Sequence, residues 1–430
     1  MTYEQAVEQI DSLPRFGLTP GLDHMRVLLS RIGNPQNALQ FIHVAGTNGK
    51  GSTCAMIASV LRKSHYRVGL FVSPHISDFG ERIQINGGMI PHRNLIQLTE
   101  SLMMIVKQLA DEGIIITEFE MITAMGLWWF QQQKCEIVVL EVGLGGRLDA
   151  TNVIEKPLCS VITHLALDHT LILGDAIGQI AYEKCGIIKE GGVTVCYPEQ
   201  EPQAMEVIRK IAEERHNRLI VADLSEIQLL SEELSGTVLG YHGMMIHLPL
   251  LGDHQIRNAC TVLTVLRYLE EDLQMHISEH SLTAGFLSVS MPARFEILRE
   301  RPLCILDGGH NPDGMRSLAQ ALKKYLPGKR LVAVTGMMKD KDVLHAIETC
   351  KDVFSEVITL PVESPRSMSA EELAECWRKI GVSAQVGEYP DQAIAMAVDM
   401  AGKDGATVIC GSLYLAGELR RTAIDLLRLL

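Results

Sequence analysis

An apolar run, Phe41-Ile42-His43-Val44-Ala45, empties into Gly46-Thr47-Asn48-Gly49-Lys50-Gly51-Ser52-Thr53. That order of residue types is suited to holding phosphate. Glycines let backbone N–H groups close on phosphate oxygens, a following helix adds the partial positive charge of its N-terminus, and the Lys50 ammonium neutralises what remains. The helix is expected to start at Ser52. The match to the general phosphate loop is imperfect, because its first Gly falls at Val44 and Gly51 separates the Lys from the hydroxyl residues.

A phosphate loop does not define a reaction, so the residues that could hold a hard cation and a substrate beside it matter next. Ser73 follows the run Val68-Gly-Leu-Phe-Val72 and precedes Pro74-His75, which puts a hydroxyl at a strand's carboxyl end, where ligands of open α/β sheets gather. Glu141 closes the run Ile137-Val-Val-Leu140, and a carboxylate inside so apolar a stretch is costly unless a cation meets it. Magnesium on nucleotide phosphates would be such a cation, since it takes oxygen ligands. His164-Leu-Ala-Leu-Asp168-His169-Thr170 follows Ser160-Val-Ile-Thr163, and Glu183-Lys184 ends a helical stretch. Spacing leaves these last two open. A His in such a loop is usually a hydrogen-bonded scaffold residue, and a salt-bridged surface lysine is the default reading of Lys184.

The elements that must position these groups are legible as alternating short apolar runs and amphipathic helical stretches. Runs without polar alternation are strands buried on both faces, so the chain is expected to be α/β, with a mostly parallel sheet wrapped by helices in its first part. Between about Ile220 and Pro249 the pattern loosens into alternating runs about a Gly-centred turn, which predicts a small antiparallel addition. A second strand and helix series starts at Leu303-Cys-Ile-Leu-Asp307 and continues through Leu331 to Thr335, Val357 to Leu360 and Thr407 to Cys410. This predicts a C-terminal Rossmann-like α/β domain joined near Met291-Pro292-Ala293. The domains are accordingly drawn as 1–292, which carries the phosphate loop, and 293–430.

The whole-chain numbers agree with this. At 430 residues the chain exceeds what one core usually supports. With 39 basic against 52 acidic side chains and a formal net charge of −13, nothing favours a nucleic-acid partner. The 10 cysteines are scattered through apolar runs without metal or disulfide spacing, as expected of small core residues in a reducing compartment. No apolar run approaches the ~20 residues that cross a bilayer, and the N-terminus has no basic head followed by an apolar body. The expectation is a soluble, cytoplasmic protein without a membrane partner.

The loop Gly46 to Ser52, Ser73-Pro74-His75, Glu81-Arg82-Ile83, Thr117-Glu-Phe119-Glu120, Glu141 to Asn152, Asp168-His169 and Glu183-Lys184 resemble, in order and spacing, the folylpolyglutamate and dihydrofolate synthases among the Mur-type amide ligases. In the second half His254-Gln255, Asn258-Ala259, Arg294-Phe-Glu296, Asp307-Gly-Gly-His310-Asn311-Pro312, Asp340-Lys341-Asp342, Ser364-Pro365-Arg366 and Gly411-Ser412-Leu-Tyr414 extend the likeness to essentially the whole chain.

The resemblance implies roles. Thr47, Asn48, Gly49, Lys50, Gly51 and Ser52 would hold ATP, with Asn258, Arg294, Asp307 and His310 also contacting the nucleotide. Ser73, Glu141, His169 and Lys184 would hold magnesium, in a pair of sites, with a monovalent cation besides. Lys184 matches a carbamylated lysine, and with Lys50 and His169 forms the catalytic set. Thr117, Phe119, Asp149 and Ala150 would line a pteridine pocket in the first domain, although apolar surroundings make Phe119 equally a core residue. Lys341 and Ser412 would take glutamate in the second domain, a glutamate ligase domain. Ala293, Cys185 and Asp175-Ala176 depart from the family pattern without removing a charged group.

The implied reaction is ATP-dependent joining of L-glutamate to dihydropteroate or a tetrahydrofolate through an acyl phosphate, by a monomer whose site closes between the domains. The rivals are a ligase acting on a cell-wall nucleotide precursor and a nucleotide-driven switch. The segment from Arg15 to His24 and the Thr117 to Glu120 run resemble the folate branch.

Overall fold

The structure, a computed structural model, describes residues 1–15 and 21–429. The Arg15 to His24 segment runs through residues 16–20, which lie outside the described residues.

In chain order the first strands are β1 Gln40–Ala45, β2 Val68–Phe71, β3 Ile83–Ile85, β4 Gly88–Met89, β5 Ile137–Glu141, β6 Cys159–Ile162, β7 Val193–Cys196 and β8 Arg218–Val221. They form one sheet in the order β4-β3-β2-β5-β1-β6-β7-β8. From β2 to β8 every pairing is parallel, and only the β3 and β4 edge runs antiparallel. The central strands are buried throughout because helices cover both faces, as their lack of polar alternation predicts. The helix Glu118–Gln132 carries the largest apolar load of the first core, with Met121, Ile122, Met125 and Phe130 fully buried.

Three further strands, β9 Ile227–Glu233, β10 Gly236–Tyr241 and β11 Met244–Leu248, make a separate sheet in the order β11-β10-β9, the expected addition. The last six are β12 Glu296–Glu300, β13 Leu303–Leu306, β14 Leu331–Thr335, β15 Glu356–Thr359, β16 Ser383–Val386 and β17 Ala406–Cys410. Their order is β12-β13-β17-β14-β15-β16, parallel except for β12. The strands β12 and β16 had no sequence signal, since half-exposed edge strands such as Ser383–Val386 carry polar residues on the open face.

The chain divides into two compact units. One comprises Met1–Gln228, Leu239–His247 and Arg257–Val289, and the other Leu229–Val238, Leu248–Ile256 and Ser290–Leu430. Nine cysteines are buried and Cys376 is half-buried, each with a free thiol. Among the described residues no helix is long and apolar enough to cross a membrane.

Candidate active site

Register explains why the first-unit residues converge. Val44 is level with Glu141 across β1 and β5, Ala45 with Ile162 across β1 and β6, and Phe71 with Leu140 across β2 and β5. The chains leaving these strands therefore emerge at one edge: the Gly46 loop from β1, Ser73 beyond β2, Glu141 at the end of β5 and Thr163-His164 after β6. This carboxyl edge is where open α/β sheets bind ligands.

The loop after β1 is stitched to the segment after β6. The N–H groups of Thr47 and Asn48 both donate to His164 O, at 2.9 and 3.2 Å. The Thr47 hydroxyl donates to Ala166 O at 3.0 Å and accepts from Ala166 N at 3.1 Å. Thr163 donates its hydroxyl to Asn48 O at 2.9 Å, and Gln200 clamps the next turn by donating to Thr163 O at 2.8 Å. Sequence reasoning missed Thr163 and Gln200. In the sequence Thr163 reads only as the end of an apolar strand, and nothing near Gln200 in the chain marks it.

The glycines here answer to packing. A Cβ on Gly46 would lie 1.8 Å from Thr163 Oγ1. Gly49 has φ +86°, a left-handed backbone, and a Cβ there would lie 2.5 Å from the Asn258 side chain. Asn258, distant in sequence, thus lies against the loop. The helix runs Lys50–Lys63 and so starts two residues before Ser52, because Gly49 serves as its left-handed N-cap and Lys50 becomes its first residue. The N–H groups of a first turn have no carbonyl ahead of them inside the helix, so they face the loop's concavity. Gly51 and Ser52 belong to that turn.

Two lysines meet at Gly46. Lys50 Nζ donates to Gly46 O and Thr47 O, each at 3.2 Å, and Lys184 Nζ donates to the same Gly46 O at 2.9 Å. Lys184 closes the helix Ile177–Lys184 and is only 5% exposed. Burial pushes its pKa down to about 7, the neighbouring Lys50 charge pushes the same way, and Asp168 and Asp149 oppose both. An interior lysine whose amine is partly neutral is a nucleophile at neutral pH.

Glu141 is 3% exposed, and its Oε2 accepts the Ser73 N–H at 3.1 Å, so those two expected ligands are brought together. Ser73 precedes a loop pinned by Arg82, which donates to His75 Nδ1 at 2.9 Å, and by Glu81, which accepts from the backbone of Ile76, Ser77 and Asp78. His169 sits at φ +51° before the short helix Thr170–Leu173, exposed, with its ring 3.9 Å from Asp168. Among the described residues no group of three or more His, Cys, Asp or Glu side chains is arranged to hold a metal. The donor set nonetheless suits magnesium, which uses one or two carboxylates and completes its shell with water and phosphate oxygens.

Beside this edge lies the expected pteridine region. Phe119 packs against the Gly143 backbone and stands edge-on to Phe71 at 6.0 Å between ring centroids, so it lies at the margin of the core. Thr117 caps the helix Glu118–Gln132, its hydroxyl paired with Glu120 Oε2 at 2.7 Å. Asp149 takes N–H donors from Leu144 at 2.8 Å and Thr151 at 3.0 Å, and with Ala150 is buried. Desolvation raises its pKa against the pull of those donors.

The remaining expected residues are in the second unit. Asp307 follows β13 and accepts N–H groups from Phe295 and Gly309, each at 2.8 Å; desolvation raises its pKa, while the Arg294 charge lowers it. His310 Nδ1 is 2.9 Å from Gly308 O. Ser412 is buried after β17 and accepts from Tyr414 N at 3.1 Å. Lys341 lies in the loop after β14, next to Asp340, which pairs with Arg366 at 3.0 Å.

Known proteins share this fold and these domains. Residues 44–266 match the Mur ligase middle domain and residues 293–413 the Mur ligase glutamate ligase domain. A dihydrofolate synthase/folylpolyglutamate synthase of Bacillus subtilis is 34% identical over 428 residues, covering 97% of this chain and 98% of that protein. Mycobacterium tuberculosis folylpolyglutamate synthase complexed with ADP superposes with a TM-score of 0.89 at 32% identity, with 97% of each chain covered. The Escherichia coli FolC structure in complex with DHPP and ADP gives 0.85 at 29% identity, covering 100% of this chain and 99% of the other. A sheet edge built around Gly46, Glu141 and Lys184, two matched Mur ligase domains and relatives aligned along nearly their whole length leave one conclusion: the chain belongs to the folylpolyglutamate synthase/dihydrofolate synthase family of the Mur ligases.

Proposed function

We propose that the protein joins L-glutamate to a folate-type carboxylate at the expense of ATP. A carboxylate is a poor electrophile, so its oxygen first takes the γ-phosphoryl group of ATP. The acyl phosphate formed is attacked by the glutamate amine, the amide forms, and phosphate leaves with the C–O bond electrons. No covalent enzyme intermediate is needed, and the protein supplies position and charge.

The observation that carries this reading is the meeting of Lys50 and Lys184 on Gly46 O, with the buried Glu141 at the same strand edge. The loop amides and Lys50 would take the triphosphate. A neutral Lys184 amine adds CO₂ and releases a proton, turning a buried cation into an anionic carbamate, which relieves its conflict with Lys50. Glu141, Ser73, His169 and the carbamate are the groups that would hold magnesium, whose charge would offset that of the phosphates. Asn258 borders the loop, and Arg294, Asp307 and His310 are assigned to the nucleotide. Thr117, Phe119, Asp149 and Ala150 are assigned to the pteridine, and Lys341 and Ser412 to glutamate, with residues 1–292 as the ATP-binding domain and 293–430 as the glutamate ligase domain. A cytoplasmic monomer with a monovalent cation completes the proposal.

The test supplies ATP, magnesium and labelled glutamate with dihydropteroate, tetrahydrofolate or a cell-wall nucleotide precursor in separate reactions. Label in either pterin product, with ADP release dependent on both acceptor and glutamate, is the expected result. ADP release without an acceptor would mean a switch, and labelling only of a cell-wall nucleotide precursor would mean the other Mur branch.

A further inference from the structure

His43 lies in the middle of β1, level with Leu140 on one side and Ser160 on the other, and is fully buried. An aliphatic side chain would fill such a position at lower cost, because a buried imidazole must satisfy two ring nitrogens. Only one is satisfied: Nε2 is 2.8 Å from the Thr151 hydroxyl, whereas Nδ1 is buried without a hydrogen-bond partner. The Thr151 hydroxyl is in turn 2.5 Å from Asp149 Oδ1. A buried chain therefore runs from the strand that feeds the phosphate loop to the carboxylate assigned to the acceptor pocket.

Proton counting gives the chain a direction. Asp149 faces N–H donors at both oxygens, from Leu144 and Thr151, which suits an acceptor-only carboxylate. The single hydroxyl proton of Thr151 is then committed to Asp149, and His43 must supply the proton of the other bond from Nε2. Burial and the nearby Lys189 charge push the His43 pKa down to about 3, so the ring stays neutral and carries one proton.

We infer that His43 is a positioning residue for the acceptor pocket: its Nε2–H holds the Thr151 oxygen, which turns the threonine proton onto Asp149 and fixes that carboxylate for the pteridine. The functional half of this inference rests on the assignment of Asp149 to the pteridine pocket. His43→Leu removes the donor, while His43→Gln carries an N–H to about the place of Nε2.

The experiment pairs steady-state kinetics with nitrogen NMR of the histidine-labelled full-length protein, the His43 signals assigned by their loss in His43→Gln. His43→Leu should raise the KM for the pterin acceptor about tenfold, the scale of one hydrogen bond in a buried network, with the KM for ATP within about twofold of the parent. His43→Gln should recover most of that loss, and the parent spectrum should show the Nε2–H tautomer. Equal losses for ATP and acceptor, or Gln no better than Leu, would reduce His43 to a packing residue. An Nδ1–H tautomer would reverse the chain and overturn the relay. An Asp149→Asn variant with unchanged acceptor KM would instead overturn the pocket assignment, which the tautomer measurement does not touch.

Discussion

The two main sheets end in similar edges where burial pushes an ionisable group toward its neutral form, Asp307 in one and Lys184 in the other, but the neighbours of the two groups differ. At the end of β13, Asp307 has a backbone N–H on each oxygen and the Arg294 charge nearby, so its negative charge is met on several sides. At the end of β1, two lysine amines converge on one carbonyl oxygen, and the more deeply buried of them is pushed toward its neutral form. A satisfied carboxylate organises a turn, whereas a crowded lysine is held ready to react. Similar parallel-strand edges thus meet one buried group with donors and opposite charge and crowd the other with like charge.

Removing Lys184 should break this contrast most severely. Lys184→Ala is expected to lower kcat by about a thousandfold or more, the scale seen when a principal electrostatic group is lost, with partial rescue by a small carboxylate. Unimpaired ligation would refute the carbamate role. Glu141→Gln keeps the size but removes the charge, and should cost about a hundredfold in kcat while leaving thermal unfolding nearly unchanged. A large fall in Tm with kcat retained would make Glu141 structural.

On the scaffold side, Asp307→Asn sets an amide N–H against one of two backbone N–H groups. It should cost about 1–3 kcal/mol in a urea titration. Stability equal to the parent's would mean that the pairing is dispensable.

The smallest effect sharpens the account of Lys184 itself. Its folded pKa is about 7, below the unfolded lysine value, so below pH 7 both states hold the proton and stability is flat. Above pH 7 the unfolded state binds more protons, and stability rises until the unfolded lysine also titrates. In CO₂-free buffer, Lys184→Met should remove the rise that begins near pH 7 and leave the one that begins near pH 8, which Lys189, pushed down to about 8 by burial, contributes. A rise from pH 7 retained in the variant would assign it to another group.

Some of this was legible because it is local. Gly46 to Ser52 announces a phosphate loop through glycine and lysine spacing, and Glu141 stands out as a carboxylate closing an apolar strand. Strands such as β5, β13 and β14 announce themselves by apolar runs buried on both faces. The polar edges β12 and β16 do not, nor does the helix start at Lys50, which depends on Gly49 adopting a left-handed backbone. The sequence left Lys184 open, since a lysine ending a helix is usually solvated. Its burial became visible only when the helix Ile177–Lys184 packed its last turn under the Gly46 loop.

Residue order by itself determined the chemical inventory and the strand and helix alternation, because periodicity and glycine placement act over a few neighbours. Which groups share an oxygen, a proton or a cavity was decided by strand register and helix packing. Lys50 and Lys184 on Gly46 O, and His43 reaching Asp149 through Thr151, join residues more than a hundred positions apart. Only the folded sheet brings such groups within hydrogen-bonding distance and strips away the water that would otherwise keep their pKa values ordinary.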